Sequence, residues 1–179
     1  VRDSIQWVLR CAPPVSLHPL RERKLYLAGK GAAEVEALAE EFCRTELCPR
    51  LSAQGLSRMD EHRRAGHHIV LVTGSLDFLI APLAALLEVP TLLAARLEQQ
   101  EQQFTGHVRA PLPYGPGKRE LIVRLTRDSG IDLAQSFAYG DSPGDVELLE
   151  MVGHPLVVNP IRGMDRIAQR NGWPMTTWT

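Results

Sequence analysis

The sequence predicts an α/β domain built around a parallel sheet. Three short apolar runs, residues 69–72, 137–139 and 155–158, predict strands, and each is followed by a turn and then by a helical pattern. After residue 67 the chain therefore alternates strand, helix, strand, helix, strand, which favours parallel strands joined by crossover helices. Because the first run has no polar alternation, we expect a strand that is buried on both faces of the sheet.

The first third of the chain predicts helices and no convincing strand. An apolar stripe with glutamates on the opposite face predicts a helix over residues 32–47, which Pro49 ends. A further helical stretch stops at Gly66, and residues 17–27 also have helical spacing.

The middle of the chain predicts a short strand, a hairpin and a loop. Residues 91–95 predict a strand, and residues 104–108 predict an edge strand that returns from a polar tip at 98–103. A loop rich in Pro and Gly, residues 111–117, then delivers Lys118 to a helix over residues 119–127, closed by Gly130. A polar terminal helix is predicted over residues 164–170.

Bulk composition excludes several classes of protein. The chain has 179 residues, 44% of them hydrophobic, which suffices for one domain with a core and a small appendage. A formal net charge of −1 gives no general attraction to nucleic acid or anionic membrane. The longest apolar run is too short for an integral membrane segment, and the first ten residues lack the layout of a signal peptide. Three cysteines without metal-type spacing (Cys11, Cys43 and Cys48) suit a reducing compartment, so we expect a cytoplasmic protein.

The strand–turn–helix segment at residues 137–149 organises the predicted fold. Gly140 ends the strand, and Asp141 and Asp145 come next, at the place where open α/β sheets bind ligands. A capping box would explain Ser142 and Asp145 without any chemistry, but it leaves Asp141 unexplained. Two carboxylates four residues apart also suit Mg²⁺, which takes one or two carboxylates, several waters and a phosphate. Both interpretations stay open at this point.

Two further polar positions follow predicted structural elements. Thr73, Gly74 and Ser75 end the first strand, and a glycine there lets backbone N–H groups approach an anion. Taken alone, Thr73 is better explained as a strand-end hydroxyl or a helix cap. Lys118 comes after a loop, where a lone lysine is usually solvated, so its interest comes from its position before the helix that leads to residue 137.

The order of these motifs resembles the haloacid dehalogenase (HAD) superfamily. Thr73-Gly74 after a strand, a lone Lys118, and Asp141 with Asp145 in a G-D-S-x-x-D pattern match three of its motifs. The closest resemblance is to the phosphoserine-phosphatase-like branch, in which a helical cap lies between the first two motifs. The resemblance implies a Rossmann-like parallel sheet with helices on both faces. It also implies a start of the core at 1–9, a helical cap at 10–60 and an α/β core at 61–179.

The resemblance also implies an activity. It implies a Mg²⁺-dependent phosphatase that hydrolyses a small-molecule phosphomonoester through a phospho-aspartyl intermediate. Thr73 and Lys118 would be catalytic; together with Gly74 and Ser75 they would bind the phosphate, and Asp141 and Asp145 would bind the metal. Asp145 would either bind the metal directly or orient its waters and Lys118. Phosphoserine, histidinol phosphate, a polyol phosphate and a phospholipid head group all remain possible substrates, and the sequence gives no oligomeric state.

One family motif is missing. The nucleophile belongs to a D-x-D-G-[ST] motif that ends the first, central strand, yet the sequence contains no Asp-x-Asp, and residues 1–4 resemble the segment that comes directly after that motif in the family. We therefore expect the nucleophile upstream of Val1 and no activity from the 179 residues alone. The alternative is a catalytically inactive, truncated relative that binds phosphate or regulates a partner. A dinucleotide-binding module is disfavoured because no G-x-G-x-x-G is present.

Overall fold

The computed structural model describes residues 23–179. The predictions for residues 1–22 lie outside the described residues: the start of the core, the first part of the cap at 10–60, the helical spacing at 17–22 and Cys11. No helix in the described part combines the length and apolar composition that crossing a bilayer requires.

From residue 70 onwards helices and strands alternate as the sequence predicts, apart from three consecutive strands between residues 91 and 108. The helices are α1 (Ala32–Phe42), α2 (Ala53–Arg64), α3 (Asp77–Leu86), α4 (Pro116–Ser129), α5 (Val146–Leu149) and α6 (Met164–Asn171). The strands are β1 (Val70–Leu76), β2 (Thr91–Ala95), β3 (Leu97–Gln100), β4 (Gln103–Val108), β5 (Phe137–Gly140), β6 (His154–Val158) and β7 (Met175–Thr176).

The strands form two parallel half-sheets and one hairpin. β1 pairs in parallel with β2, and β5, β6 and β7 form a three-stranded parallel sheet in that order. β3 and β4 form an antiparallel hairpin, whose tip carries positive φ angles of 49° at Glu101 and 65° at Gln102. The predicted parallel α/β fold and the predicted hairpin are confirmed, but the tip is shorter than the predicted 98–103, because residues 98–100 belong to β3 and residue 103 begins β4.

One edge of β1 and one edge of β5 are open within residues 23–179, since β1 pairs only with β2 and β5 only with β6. Val70, Leu71 and Val72 are half-buried, and Phe137 is 45% exposed. The prediction that the first strand is buried on both faces is therefore wrong for this part of the chain. A strand that has no neighbour on one edge exposes its side chains on that edge and leaves a row of backbone N–H and C=O groups unpaired.

Two apolar cores lie under the two half-sheets. The first gathers buried residues from α1, β1, β2 and the hairpin: Ala32, Leu76, Ala95, Leu97 and Phe104. The second gathers buried residues from β5, α5, β6 and α6: Ala138, Leu149, Val157, Met164 and Ala168. Each half-sheet is thus covered by its own helices, and the loops at the carboxyl ends of the strands lie between them.

The ends of two helices match the local sequence. α4 ends at Gly130, which adopts the left-handed conformation with φ of 68°, as the sequence predicts for its closing glycine. The predicted helix at 32–47 is α-helical only as far as Phe42 and then widens into a π turn at Cys43–Leu47. Pro49 lies in the 3₁₀ turn that comes next, Cys48–Arg50.

Candidate active site

The turn after β5 folds back on the end of its own strand. Ser142 and Asp145 form the predicted capping box around the 3₁₀ turn Pro143–Asp145, and Pro143 fits the first turn because no N–H is needed there. A Cβ on Gly140 would lie 2.6 Å from Cβ of Asp145. Glycine at position 140 is therefore what allows the Asp145 side chain to lie against the end of β5.

Asp145 is buried, and both of its carboxylate oxygens accept hydrogen bonds. Its Oδ1 accepts a hydrogen bond from Nζ of Lys118, and the side chains of this pair are 8% (Lys118) and 10% (Asp145) exposed. Its Oδ2 accepts from the backbone N–H groups of Asp141 (3.2 Å) and Ser142 (3.1 Å) and from the Ser142 hydroxyl (3.1 Å). The capping and chemical interpretations of Asp145 therefore hold together, because the carboxylate that caps the turn also binds the lysine.

The environment of Asp145 favours its charged form. Burial alone would raise the pKa of Asp145. The hydrogen bond and charge of Lys118, with the donors of Ser142, outweigh that effect and hold the pKa of Asp145 below its usual range. Lys118 is 6% exposed, so the interpretation of this residue as a solvated lysine is wrong.

The loop before α4 brings Lys118 to this position. The amide of Gly115 donates to the carbonyl of Gly144 over 3.2 Å, which joins the loop to the turn after β5. The Tyr114 ring lies so close to Gly144 that a Cβ there would be 2.5 Å from the ring. Lys118 lies in the first turn of α4, directly behind this contact.

Asp141 lies beside this pair but differs from Asp145 in its surroundings. Its side chain is exposed, and no cation within residues 23–179 forms an ion pair with it. Partial burial raises the pKa of Asp141, and the negative charge of Asp145 raises it further. The backbone carbonyl of Asp141 accepts from the N–H of Ile161 over 2.8 Å, which ties this loop to the segment after β6.

The end of β1 contributes a hydroxyl and an open backbone. The Thr73 hydroxyl accepts a hydrogen bond from the amide of Ser75 over 3.1 Å, and the strand has a register irregularity between Thr73 and Leu76. A Cβ on Gly74 would lie 3.6 Å from the carbonyl oxygen of Pro113. The Ser75 amide is thus already hydrogen-bonded to Thr73, whereas Gly74 lies next to the loop that leads to Lys118.

A cavity of about 480 Å³ lies among these loops. Five of the six predicted site residues line it: Thr73, Gly74, Lys118, Asp141 and Asp145. Ser75, the sixth, is not among its lining residues. The structure therefore brings together, from β1, α4 and the turn after β5, groups that are up to 72 positions apart in the chain, from Thr73 to Asp145.

Sequence reasoning missed three polar residues that line the same cavity: Tyr114, Tyr139 and Asn159. The Tyr139 hydroxyl lies 2.7 Å from Nε2 of His62, whose Nδ1 lies 2.8 Å from Nδ1 of His67. Burial lowers the pKa of His62, and the neighbouring His67 lowers it further. Position in the sequence could have indicated two of the three missed residues, because Tyr139 lies near the carboxyl end of β5 and Asn159 comes directly after β6.

The donor set suits a hard divalent cation. Among the described residues that line the cavity, Lys118 balances the carboxylate of Asp145, and Asp141 has no cationic partner. The four hydrogen bonds on Asp145 leave it little capacity as a direct metal ligand, whereas Asp141 supplies the carboxylate oxygens that Mg²⁺ prefers. No group of three or more His, Cys, Asp or Glu side chains suited to a metal is found in the described residues.

We predict that the Lys118–Asp145 pair makes stability fall in acid. Because the pKa of folded Asp145 is lowered, its contribution is present above the ordinary value of about 3.8 and is lost as pH falls through the folded pKa. Asp145→Asn leaves Lys118 buried without its counter-charge, which should cost about 3–5 kcal/mol at pH 7. Urea unfolding between about pH 1 and pH 7 should show a steeper acid loss in the wild type than in the variant.

The matched control is Glu147→Gln, which breaks a half-exposed pair with Arg119. Such a pair contributes at most about 1 kcal/mol. Equal losses of stability for the two variants, or identical acid profiles for wild type and Asp145→Asn, would contradict a stabilising role of the buried pair.

Known proteins resemble this chain in sequence and in fold. The family model of the haloacid dehalogenase-like hydrolases matches residues 16–150. A probable phosphatase of Mycobacterium tuberculosis is 32% identical over 152 residues, 85% of this chain and 53% of that protein. A phosphoserine phosphatase of the same organism is 28% identical over 155 residues, 86% of this chain and 50% of that protein. The chain thus spans about half the length of these curated relatives.

Solved structures agree on the fold. A Bordetella pertussis protein of unknown function has a TM-score of 0.81 and 30% identity, with 97% of this chain and 79% of that one covered. A phosphoserine phosphatase with an analogue of its phospho-aspartyl intermediate has a TM-score of 0.65 and 18% identity, with 87% and 69% covered. The fold is thus that of the phosphoserine-phosphatase-like structures, and the chain belongs to the haloacid dehalogenase-like hydrolases.

Proposed function

We propose that this chain forms the phosphate- and metal-binding part of a Mg²⁺-dependent phosphatase. Its substrate would be a small-molecule phosphomonoester, hydrolysed through a phospho-aspartyl intermediate. One observation carries the proposal: the buried Lys118–Asp145 pair shares a cavity with Asp141 and with the Thr73-Gly74 turn. A cation, an uncompensated carboxylate, a hydroxyl and an open backbone turn are the groups that phosphoryl transfer requires, because it depends mainly on positioning and charge neutralisation.

Each residue then has a separate role. The Lys118 ammonium, fixed by Asp145, offsets the repulsion between an anionic substrate and an attacking carboxylate. The Thr73 hydroxyl and the Gly74 amide bind phosphate oxygens, while Ser75 acts through its hydrogen bond to Thr73. Asp141 holds Mg²⁺, which when bound neutralises charge on the transferring phosphoryl group. Asp145 orients Lys118 and the waters around the metal.

The nucleophile comes, in this proposal, from a strand between β1 and β5. The open edges of these strands would each pair with it, and the ends of both strands border the cavity through Thr73 and Gly140. Among the carboxylates of residues 23–179, only Asp141 and Asp145 line that cavity, and both have other roles. An Asp-x-Asp motif at the carboxyl end of such a strand would therefore enter the cavity opposite Lys118.

Two further proposals concern the domain organisation and the cellular compartment. Residues 10–60 act as the helical cap over the core at 61–179, although Ala32 already packs with the core of β1 and the hairpin. The protein works in the cytoplasm, a compartment that suits the free thiols of Cys43 and Cys48.

A second candidate function is a catalytically inactive protein that binds a phosphate group or regulates a partner. It is favoured by one observation, the absence of any Asp-x-Asp from the 179 residues. The two candidates differ only in the nucleophile, so the sequence directly upstream of Val1 distinguishes them.

The first prediction concerns Asp141. In an active form of the chain that is extended upstream, Asp141→Asn should lower Mg²⁺-dependent turnover by roughly a hundredfold or more, because one preorganised electrostatic contact is lost. The fold should be retained, since Asp141 is exposed. Steady-state assays over a Mg²⁺ titration measure this, with the exposed Asp165→Asn as control. Near-normal turnover, or an unchanged Mg²⁺ dependence, would contradict the metal role.

The second prediction separates catalysis from stability at Lys118. Lys118→Met should abolish turnover and also destabilise the protein by about 3–5 kcal/mol, because Asp145 stays buried without its counter-charge. The double variant Lys118→Met/Asp145→Asn removes that buried charge, so it should recover part of the stability and none of the activity. Recovery of both, measured by urea unfolding and phosphatase assay, would show that Lys118 is only structural.

The third prediction tests the strand between β1 and β5. The 179-residue chain should lack phosphatase activity towards an aryl phosphate with Mg²⁺. An upstream extension that carries an apolar strand ending in Asp-x-Asp-Gly should create activity and raise the melting temperature, since the open strand edges gain a partner. The same extension with Asn-x-Asn should raise the melting temperature only. Absence of activity from both lengths, or an upstream sequence without the paired aspartates, would favour the inactive relative. Equal and measurable activity of both lengths would contradict the upstream nucleophile.

A further inference from the structure

The π turn at Cys43–Leu47 brings two cysteine side chains together. The backbone N–H of Cys48 donates to the carbonyl of Cys43, the five-residue step of a π helix, and the two Sγ atoms lie 3.8 Å apart. In a regular α-helix, residues five apart differ by about 140° around the axis, so their side chains would point in different directions. The contact between the thiols therefore depends on the π turn.

Pro49 gives a physical reason for this turn. A proline has no N–H to donate, and in an α-helix its ring would clash with the carbonyl four residues earlier, that of Thr45. Widening the helix by one residue moves that carbonyl away from the ring. The 3₁₀ turn Cys48–Arg50 then ends the helix, with the N–H of Leu51 donating to the carbonyl of Cys48 over 3.3 Å.

The two thiols differ in their access to solvent. Cys43 is 4% exposed, and burial, followed by the nearby Cys48, raises its pKa. Cys48 is half-buried, and the two residues that follow it, Pro49 and Arg50, are exposed. A reagent in solution therefore reaches Cys48 first, while Cys43 lies directly behind it.

We propose that Cys43 and Cys48 form a reversible modification site that a low-molecular-weight disulfide, such as glutathione disulfide, converts into an intramolecular disulfide. The Cys48 sulfur, having lost its proton, attacks one sulfur of glutathione disulfide, forms a mixed disulfide and releases one glutathione thiolate, which takes up a proton. The Cys43 sulfur then loses its proton and attacks Sγ of Cys48, which breaks the mixed disulfide and releases a second glutathione. Two protein thiols are oxidised and one glutathione disulfide is reduced.

The geometry requires only a local adjustment for this reaction. A disulfide needs a sulfur–sulfur distance of about 2.05 Å, so the two sulfurs must approach by rotation of their side chains from the present 3.8 Å. Cys43 begins the π turn and the N–H of Cys48 closes it, so one backbone hydrogen bond already holds the two residues close to each other. The site is distinct from the cavity that contains Lys118 and Asp145, and it does not depend on the proposed phosphatase activity.

The test uses the full 179-residue chain with Cys11→Ser, so that the pair is studied alone. The reduced protein is incubated with glutathione disulfide, and intact mass and peptide mapping follow the products. We expect a monomer that loses the mass of two hydrogens, with the Cys43 and Cys48 peptides joined, and full reversal by dithiothreitol. Added Cys43→Ser should instead accumulate glutathione on Cys48, while added Cys48→Ser should remain largely unmodified.

Pro49→Ala is the control for the π turn. It keeps both thiols but removes the reason for the widened helix, so the intramolecular disulfide should form at least tenfold more slowly than with Pro49. A product of the Cys11→Ser chain that carries glutathione on Cys48 while Cys43 stays free would overturn the proposal. So would disulfide-linked dimers as the main product.

Discussion

The buried ion pair between Lys118 and Asp145 is the interaction on which the rest of the site depends. It joins α4 to the turn after β5, two segments that are 27 residues apart in the chain. Removing two charges from water is costly and is offset only where the remaining hydrogen-bonding capacity is satisfied. Here one carboxylate oxygen takes the lysine and the other takes three donors, so the local geometry of the turn and the position of the cation fix each other.

Close backbone contacts make that pair possible. Gly140 lets Asp145 lie against the end of β5, and Gly144 lets the Tyr114 ring and the loop before α4 approach the same turn. A side chain at position 144 would push the loop before α4 away from the turn, and one at position 140 would displace Asp145 from the end of β5. The two glycines carry no charge, but they allow the close approach that brings Asp145 and Lys118 together, and the electrostatics of the cavity depend on that approach.

Much of this arrangement could be predicted from the sequence because it is local. The apolar runs, the closing glycine of α4 and the capping box at Ser142 depend on neighbouring residues. The alternation of strands and helices places Thr73 and Asp141 at the carboxyl ends of strands, and the resemblance to the family adds Lys118 to them. The burial of Lys118 could not be predicted, because it arises from a partner that is distant in the chain. Tyr139 was missed for the same reason: its place on the cavity depends on how the two half-sheets face each other.

The extent to which β1 and β5 are buried could not be predicted either. An apolar run indicates that a strand tends to be covered, but it does not identify the element that covers it. Where the edges of Val70–Leu76 and Phe137–Gly140 stay open, each offers a row of unpaired backbone donors and acceptors beside apolar side chains. Such edges are templates for strand addition from another molecule, which leads to aggregation or domain swapping. Where these edges are unpaired, self-association of this chain should therefore rise with protein concentration. Its solubility should then indicate whether the two edges are paired with another strand.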